Sequence, residues 1–134
     1  MFYGYCDGGS QCNNKHAACA WIITNEDGES LYTNSMYIGG CSNNVAEYQA
    51  LLALLLSALA GGVKELHVIQ DSELVSRQVT GQYQVKAEHL KPLYLTVQDL
   101  INKFDKIEFE SVRREHPMLK IVDKMCDQLI DSHK

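Results

Sequence analysis

Four acidic residues, Asp7, Glu47, Asp71 and Asp123, are placed where regular elements begin or end. The apolar and aromatic run Phe2-Tyr3-Gly4-Tyr5-Cys6 reads as a buried strand, and Asp7-Gly8-Gly9-Ser10 reads as the turn that stops it. A carboxylate buried at a strand end is costly unless it is paired or binds a cation. Four carboxylates brought together repel one another and raise each other's pKa, so such a set is stable only with cations between them. Hard oxygen ligands with no Cys or His among them suit Mg²⁺ or Mn²⁺. Each acid also has an ordinary reading. Asp7 can be a turn residue bonding its own backbone, Glu47 the last member of a capping box with Asn44, and Asp71 a helix N-cap. Asp123 can belong with Asp127 and Asp131 to a solvated helix face. Convergence of the four in space separates the two readings.

The elements that must position these acids follow from hydrophobic periodicity. Ala17 to Thr24 is a second apolar strand, Asn25-Glu26-Asp27-Gly28 a hairpin signal, and Glu29 to Ile38 a third strand ended by Gly39-Gly40. A helix starts near Ser42-Asn43-Asn44 and runs to Ala60 with a wide apolar face, stopped by Gly61-Gly62. Leu66 to Ile69 is a short continuous apolar strand, followed by Gln70-Asp71-Ser72 and a short helix over Glu73 to Val79. Gly81 to Val85 is a connector. The helix that ends near Phe104 is expected to begin near Lys91, with Pro92 in its first turn. Ile107 to Val112 alternates as a fifth strand, and Pro117 opens a last helix to about Ser132 with Leu119, Val122, Met125 or Cys126, and Leu129 on its apolar side. The order β-β-β-α-β-α-α-β-α predicts an α/β domain with strand ends and helix starts along one sheet edge, where open sheets carry their sites.

At 134 residues the chain reads as one domain, residues 1–134, with an ordinary apolar fraction of 46% and charged fraction of 22%. The longest apolar run, Ala50 to Ala60, is too short for a membrane span, and no signal-like segment opens the chain, so a cytoplasmic protein is expected. Five cysteines with no C-x-x-C pair argue against a disulfide framework and against a zinc knuckle. The net charge of -5 argues against a high-affinity, non-specific nucleic-acid binder, although a cation-binding acid cluster inverts the local field. Arg77, Lys86, His89, Lys91, Arg113 and Arg114 are the candidates for phosphate contacts.

Tyr5-Cys6-Asp7-Gly8-Gly9-Ser10 with Asn13, Ser42-Asn43-Asn44-Val45-Ala46-Glu47-Tyr48, Gln70-Asp71-Ser72-Glu73-Leu74-Val75, and Val122-Asp123-Lys124-Met125 resemble, in order and spacing, the four acidic motifs of the ribonuclease H type 1 family. The match covers nearly the whole chain. The resemblance implies a ribonuclease H-like fold: a five-stranded mixed sheet, three antiparallel strands then two parallel additions, flanked by helices. It implies two divalent cations, Mg²⁺ or Mn²⁺, on Asp7, Glu47, Asp71 and Asp123, and two-metal hydrolysis of the RNA strand of an RNA/DNA hybrid to 5′-phosphate and 3′-hydroxyl ends. Asn13, Asn43 and Gln70 match family positions that contact the hybrid's minor groove, although both Asn can equally be plain turn residues. Gly8, Ser10, Asn44 and Ser72 beside the acids are further substrate-binding candidates. A monomer without an obligate protein partner or a membrane is expected. The alternatives are a weak or inactive nucleic-acid-binding module of the same fold and a nuclease acting on duplex RNA. Two departures stand near the C-terminus. Leu119 falls where the family usually has a polar residue, and the mobile loop His of some members aligns with Arg113, leaving His116 as a substitute or a plain helix cap.

Overall fold

In the computed structural model, which describes residues 1–134, the chain runs through β1 (Phe2–Gln11), β2 (His16–Thr24), β3 (Ser30–Gly39), α1 (Asn43–Ala60), β4 (Glu65–Gln70), α2 (Glu73–Val79), α3 (Lys91–Ile101), β5 (Lys106–Ser111) and α4 (Pro117–Asp131). The strands form one sheet in the order β3-β2-β1-β4-β5. The β1–β2 and β2–β3 pairs are antiparallel, whereas β1–β4 and β4–β5 are parallel. This is the mixed sheet implied by the motif resemblance. The helix after the connector starts at Lys91 with Pro92 next, behind a single 3₁₀ turn at Glu88–Leu90. No helix is long and apolar enough to cross a membrane.

The sheet is covered on both faces, and β2 shows how one strand serves two cores. Cys19, Trp21 and Ile23 point to the layer built by Tyr48, Leu51, Leu54, Leu55 and Ala58 of α1, with Val97 and Leu100 of α3 behind them. Their neighbours Ala18, Ala20 and Ile22 point the other way, onto Leu119, Val122, Cys126 and Ile130 of α4. The period of two in the strand and the i, i+3, i+4 spacing in the helix meet at this interface. Leu119, the departure from the family pattern, is a buried contact of that second core.

The first strand corrects the sequence reading. Asp7-Gly8-Gly9-Ser10 is not a turn, because β1 continues through it to Gln11 in unbroken register with β2, Asp7 opposite Ala20 and Gly9 opposite Ala18. The turn falls instead at Cys12, Asn13 and Asn14, which all have positive φ, a conformation that Asn tolerates better than most residues. The glycines have another cause. A Cβ on Gly8 would lie 2.1 Å from the carbonyl oxygen of Ala46 and 2.7 Å from the backbone nitrogen of Glu47, so the first turn of α1 rests directly on the β1 backbone.

Gly8→Ala is therefore expected to displace α1 or unfold the domain, at a cost of about 3 kcal/mol or more, since the clash is with backbone that cannot rotate away. Gly9→Ala, whose Cβ would meet nothing closer than the Asn43 side chain at 3.6 Å, should cost much less. Urea unfolding of the two variants checks the contrast. Equal midpoints would show that the close approach is not what selects glycine at position 8.

Candidate active site

Parallel pairing between β1 and β4 ends at Tyr5 opposite Ile69, so β1 outruns its neighbour and Asp7 sits where the sheet opens. This is the switch point between the antiparallel and parallel halves, the place where open α/β sheets bind ligands. The Gly8 N–H donates to Glu47 Oε1 at 3.4 Å, which draws the Glu47 side chain toward β1. Asp71 follows directly on the last residue of β4. One oxygen from each of Asp7, Glu47 and Asp71 lies within 4.8 Å of the others. Asp123 is in the second turn of α4, further from the helix start than its sequence position beside an element end suggests, and lines the same cleft beside Asp7. All four acids converge.

Their ordinary roles are taken by other residues. Ser42 caps α1, accepting from the Val45 N–H, so Asn44 and Glu47 form no capping box. Ser72 caps α2 by accepting from the Val75 N–H, which leaves the Asp71 carboxylate free of that task. Asp7 is buried to 96% and its Oδ1 has no hydrogen-bond partner. A sealed carboxylate oxygen without a donor is rare in folded proteins and marks a place for a positive charge. An all-oxygen set of acids fits a hard divalent cation.

Electrostatics agree with the geometry. Burial first, then the charges of Glu47 and Asp71 and the adjacent Asp123 carboxyl, push the Asp7 pKa far above the usual carboxylate range, with Arg114 opposing. Burial and Asp71 raise Glu47 as well, while its contacts with Asp7, the Gly8 N–H and Arg114 lower it. The counter-charge is Arg114, whose Nε donates to Asp71 Oδ2 at 2.8 Å and whose Nη1 is 3.8 Å from Asp123 Oδ1. The sequence places Arg114 among six scattered basic residues, and no local pattern marks it as the one inside the site.

Two cavities of about 200 Å³ flank the acids. Asp7, Ser10, Asp123 and Asp127 line one, Asn44, Glu47, Asp71 and Ser72 the other, and Asn43 and Arg114 border both. A larger cavity of about 480 Å³ beside Tyr83 and Tyr94 lies apart from these acids and has no carboxylate, histidine or cysteine in its wall. Asn43 Oδ1 accepts from the Ser10 N–H at 3.2 Å, which ties the start of α1 to β1, and the Ser10 hydroxyl meets Asn14. Asn13 and Asn44 are exposed. Gln70 is a correction. Its side chain is buried, with Nε2 donating to Ser76 Oγ and Oε1 accepting from Cys6 Sγ, so it braces the end of β4 and does not face a ligand. Arg113 is exposed, and His116 is the cap of α4, its Nδ1 accepting from the Met118 N–H.

This sheet order, with acids at its switch point, defines a ribonuclease H-like domain. A family model described as reverse transcriptase-like matches residues 5–126, and the chain belongs to that family. It is 38% identical over 127 residues to the bifunctional protein Rv2228c of Mycobacterium tuberculosis, covering 94% of this chain and 34% of that protein. It is 32% identical over 112 residues to ribonuclease HI of Halobacterium salinarum, covering 84% of this chain and 56% of the relative. The chain thus spans about a third and about half of the lengths of these two relatives. The crystal structure of LC11-RNase H1, isolated from compost, in complex with an RNA/DNA hybrid superposes with a TM-score of 0.91 at 33% identity, covering 99% of both chains.

The raised Asp7 pKa carries a linkage consequence in the absence of metal. Its contribution to stability is fully present below the unfolded carboxylate value of about 3.9 and is lost as pH rises through the higher folded value. Asp7→Asn removes that loss. In chelator at pH 7 the variant should melt about 3–6 °C above wild type, with the gap closing toward pH 4. A gap that does not shrink as pH falls would mean that charge repulsion is not its source.

Proposed function

We propose that the chain is a metal-dependent endoribonuclease that hydrolyses the RNA strand of RNA/DNA hybrids. The observation that carries this reading is the unpartnered, buried Asp7 oxygen within 4.8 Å of Glu47 and Asp71, at the switch point of a ribonuclease H sheet. The relative named ribonuclease HI and the hybrid bound in the LC11 structure support the substrate. Asp7, Glu47, Asp71 and Asp123 are the residues that would hold two divalent cations, which supply charge neutralisation at the phosphate and a water acidic enough to attack at neutral pH. Asp7 is grouped with Glu47 and Asp71 on one side and lines a cavity with Asp123 on the other, so it would contribute to holding the cations together with each of them. Its rigid place in the central strand, paired with β2 on one side, keeps that carboxylate from relaxing away from Glu47 and Asp71.

Substrate choice falls to the polar residues at the rim. Asn43 has its oxygen engaged by Ser10 and its amide nitrogen without a protein partner, so it has a donor for a ribose 2′-hydroxyl or a base edge. Asn44 stands beside it, exposed, on the Glu47 and Asp71 side of the cleft. The cationic side chains available for phosphate are few. Arg77 pairs with Glu73 and Lys91 with Glu88, while Lys86 and Arg113 are exposed without an ion-pair partner, in a chain whose net charge is -5.

The test is one 5′-labelled strand presented as RNA/DNA hybrid, duplex RNA and duplex DNA, with Mg²⁺ and separately with Mn²⁺. Cutting of the hybrid's RNA strand with 3′-hydroxyl products is expected, and Asp7→Asn should reduce it by well over a hundredfold, since loss of a residue that only orients a ligand already costs about 10–100-fold. Hybrid bound but uncut under both metals would make the chain a binding module. KM for the hybrid should rise about tenfold between roughly 50 and 200 mM NaCl, as for about two phosphate contacts. A KM flat in salt would place binding on contacts other than phosphate.

A further inference from the structure

We infer that Arg114 is the resident counter-cation of the acid cluster, a positioning residue that holds Asp71 and Asp123 in place and that divalent cations must displace in order to bind. The inference rests on the reading that these acids hold cations. Its first support is position. Arg114, like Asn43, borders both cavities at once, so its side chain reaches the Asp7 and Asp123 side of the cleft as well as the Glu47 and Asp71 side. Its second is contact. Nε donates to Asp71 Oδ2 at 2.8 Å, and the far end of the same guanidinium is 3.8 Å from Asp123 Oδ1, so one rigid fork spans the acid after β4 and the acid on α4.

The backbone that carries Arg114 is fixed, whereas its side chain is not. The Val112 N–H donates to the Gln70 carbonyl at 2.9 Å, which ties the start of the short segment between β5 and α4 to β4, and the His116 N–H donates to the Arg113 carbonyl at 3.0 Å, which closes a turn around Arg114. The Arg114 side chain is 57% exposed and can leave without disturbing a core. Competition follows from the shared carboxylate. A cation coordinated by Asp71 binds a group that already accepts from the Arg114 N–H through Oδ2, and its charge repels a guanidinium that stays protonated at every working pH. Arg113, the adjacent residue, is exposed and pairs with none of these acids, so the assignment is specific to position 114.

A plain structural brace and a resident counter-cation differ in what their loss does to metal affinity. Mn²⁺ binding to the nucleic-acid-free chain, followed by calorimetry, is to be measured for wild type, Arg114→Gln and Arg114→Lys, with Asp7→Asn as the site control. The counter-cation predicts that Arg114→Gln lowers the Kd for Mn²⁺ about tenfold, and that Arg114→Lys, which keeps the charge without the planar fork, lowers it less. It also predicts that Arg114→Gln melts below wild type in chelator and that saturating Mn²⁺ removes the difference. A Kd equal to or weaker than wild type in Arg114→Gln overturns the inference while leaving the metal-dependent nuclease intact. If that variant does not fold, Arg114→Lys decides on the same criterion. Wild type and variants that all fail to bind Mn²⁺ overturn both the inference and the reading of the site beneath it.

Discussion

Much of this structure depends on one close approach, the first turn of α1 resting on the backbone of β1 at Gly8. A side chain there would overlap the Ala46 carbonyl, so the contact exists only because position 8 has no Cβ. The contact fixes the height of α1 over the sheet and allows the Gly8 N–H to reach Glu47. It also sets Glu47 beside Asp7, residues forty positions apart in the chain. With β4 ending early on the other side of β1, Asp71 completes the group, and the central strand becomes the floor of a cleft as well as a member of the sheet.

The cost of that arrangement is a cluster of like charges around a buried carboxylate. Such a cluster destabilises the metal-free fold, as functional sites commonly do, and the rest of the molecule must offset it. Two apolar layers, one on each face of the sheet, supply the compensation, and both draw on β2. Arg114 supplies a local one. Its more exposed position means that its ion pairs are screened, so it balances charge without locking the site. Leu119 belongs to the same division of labour, since it packs α4 onto β2 and sets the height of Asp123 one turn further along the helix.

The strand and helix content was legible because the periodicities are clean. The apolar run of β4, the Leu and Ala face of α1, Pro92 opening α3 and Pro117 opening α4 all stand as their local chemistry dictates. The errors share a cause. Asp-Gly-Gly-Ser carries the composition of a turn, yet tertiary contact uses those glycines for clearance within a strand. Asn44 and Glu47 have the spacing of a capping box, yet Ser42 starts the helix two residues earlier and takes the cap. Gln70 sits beside an acid in sequence but turns inward, where Ser76 and Cys6 satisfy its amide. In each case a local preference had two outlets, and packing chose between them.

Residue type and spacing by themselves singled out the four acids, determined that no Cys or His joins them as a ligand, and determined that the elements alternate in the order of a mixed α/β sheet. These follow from intrinsic preferences and period, which act over a few residues and need no partner. Only the tertiary structure decided that Asp7 lies within a strand with a buried carboxylate oxygen that no donor reaches, that Asp71 and Glu47 are free of capping duty, and that Arg114, out of six basic candidates, is the cation among the acids. Those facts depend on which backbone passes within contact distance of which, over separations of 39 to 119 residues, and no short-range preference encodes them.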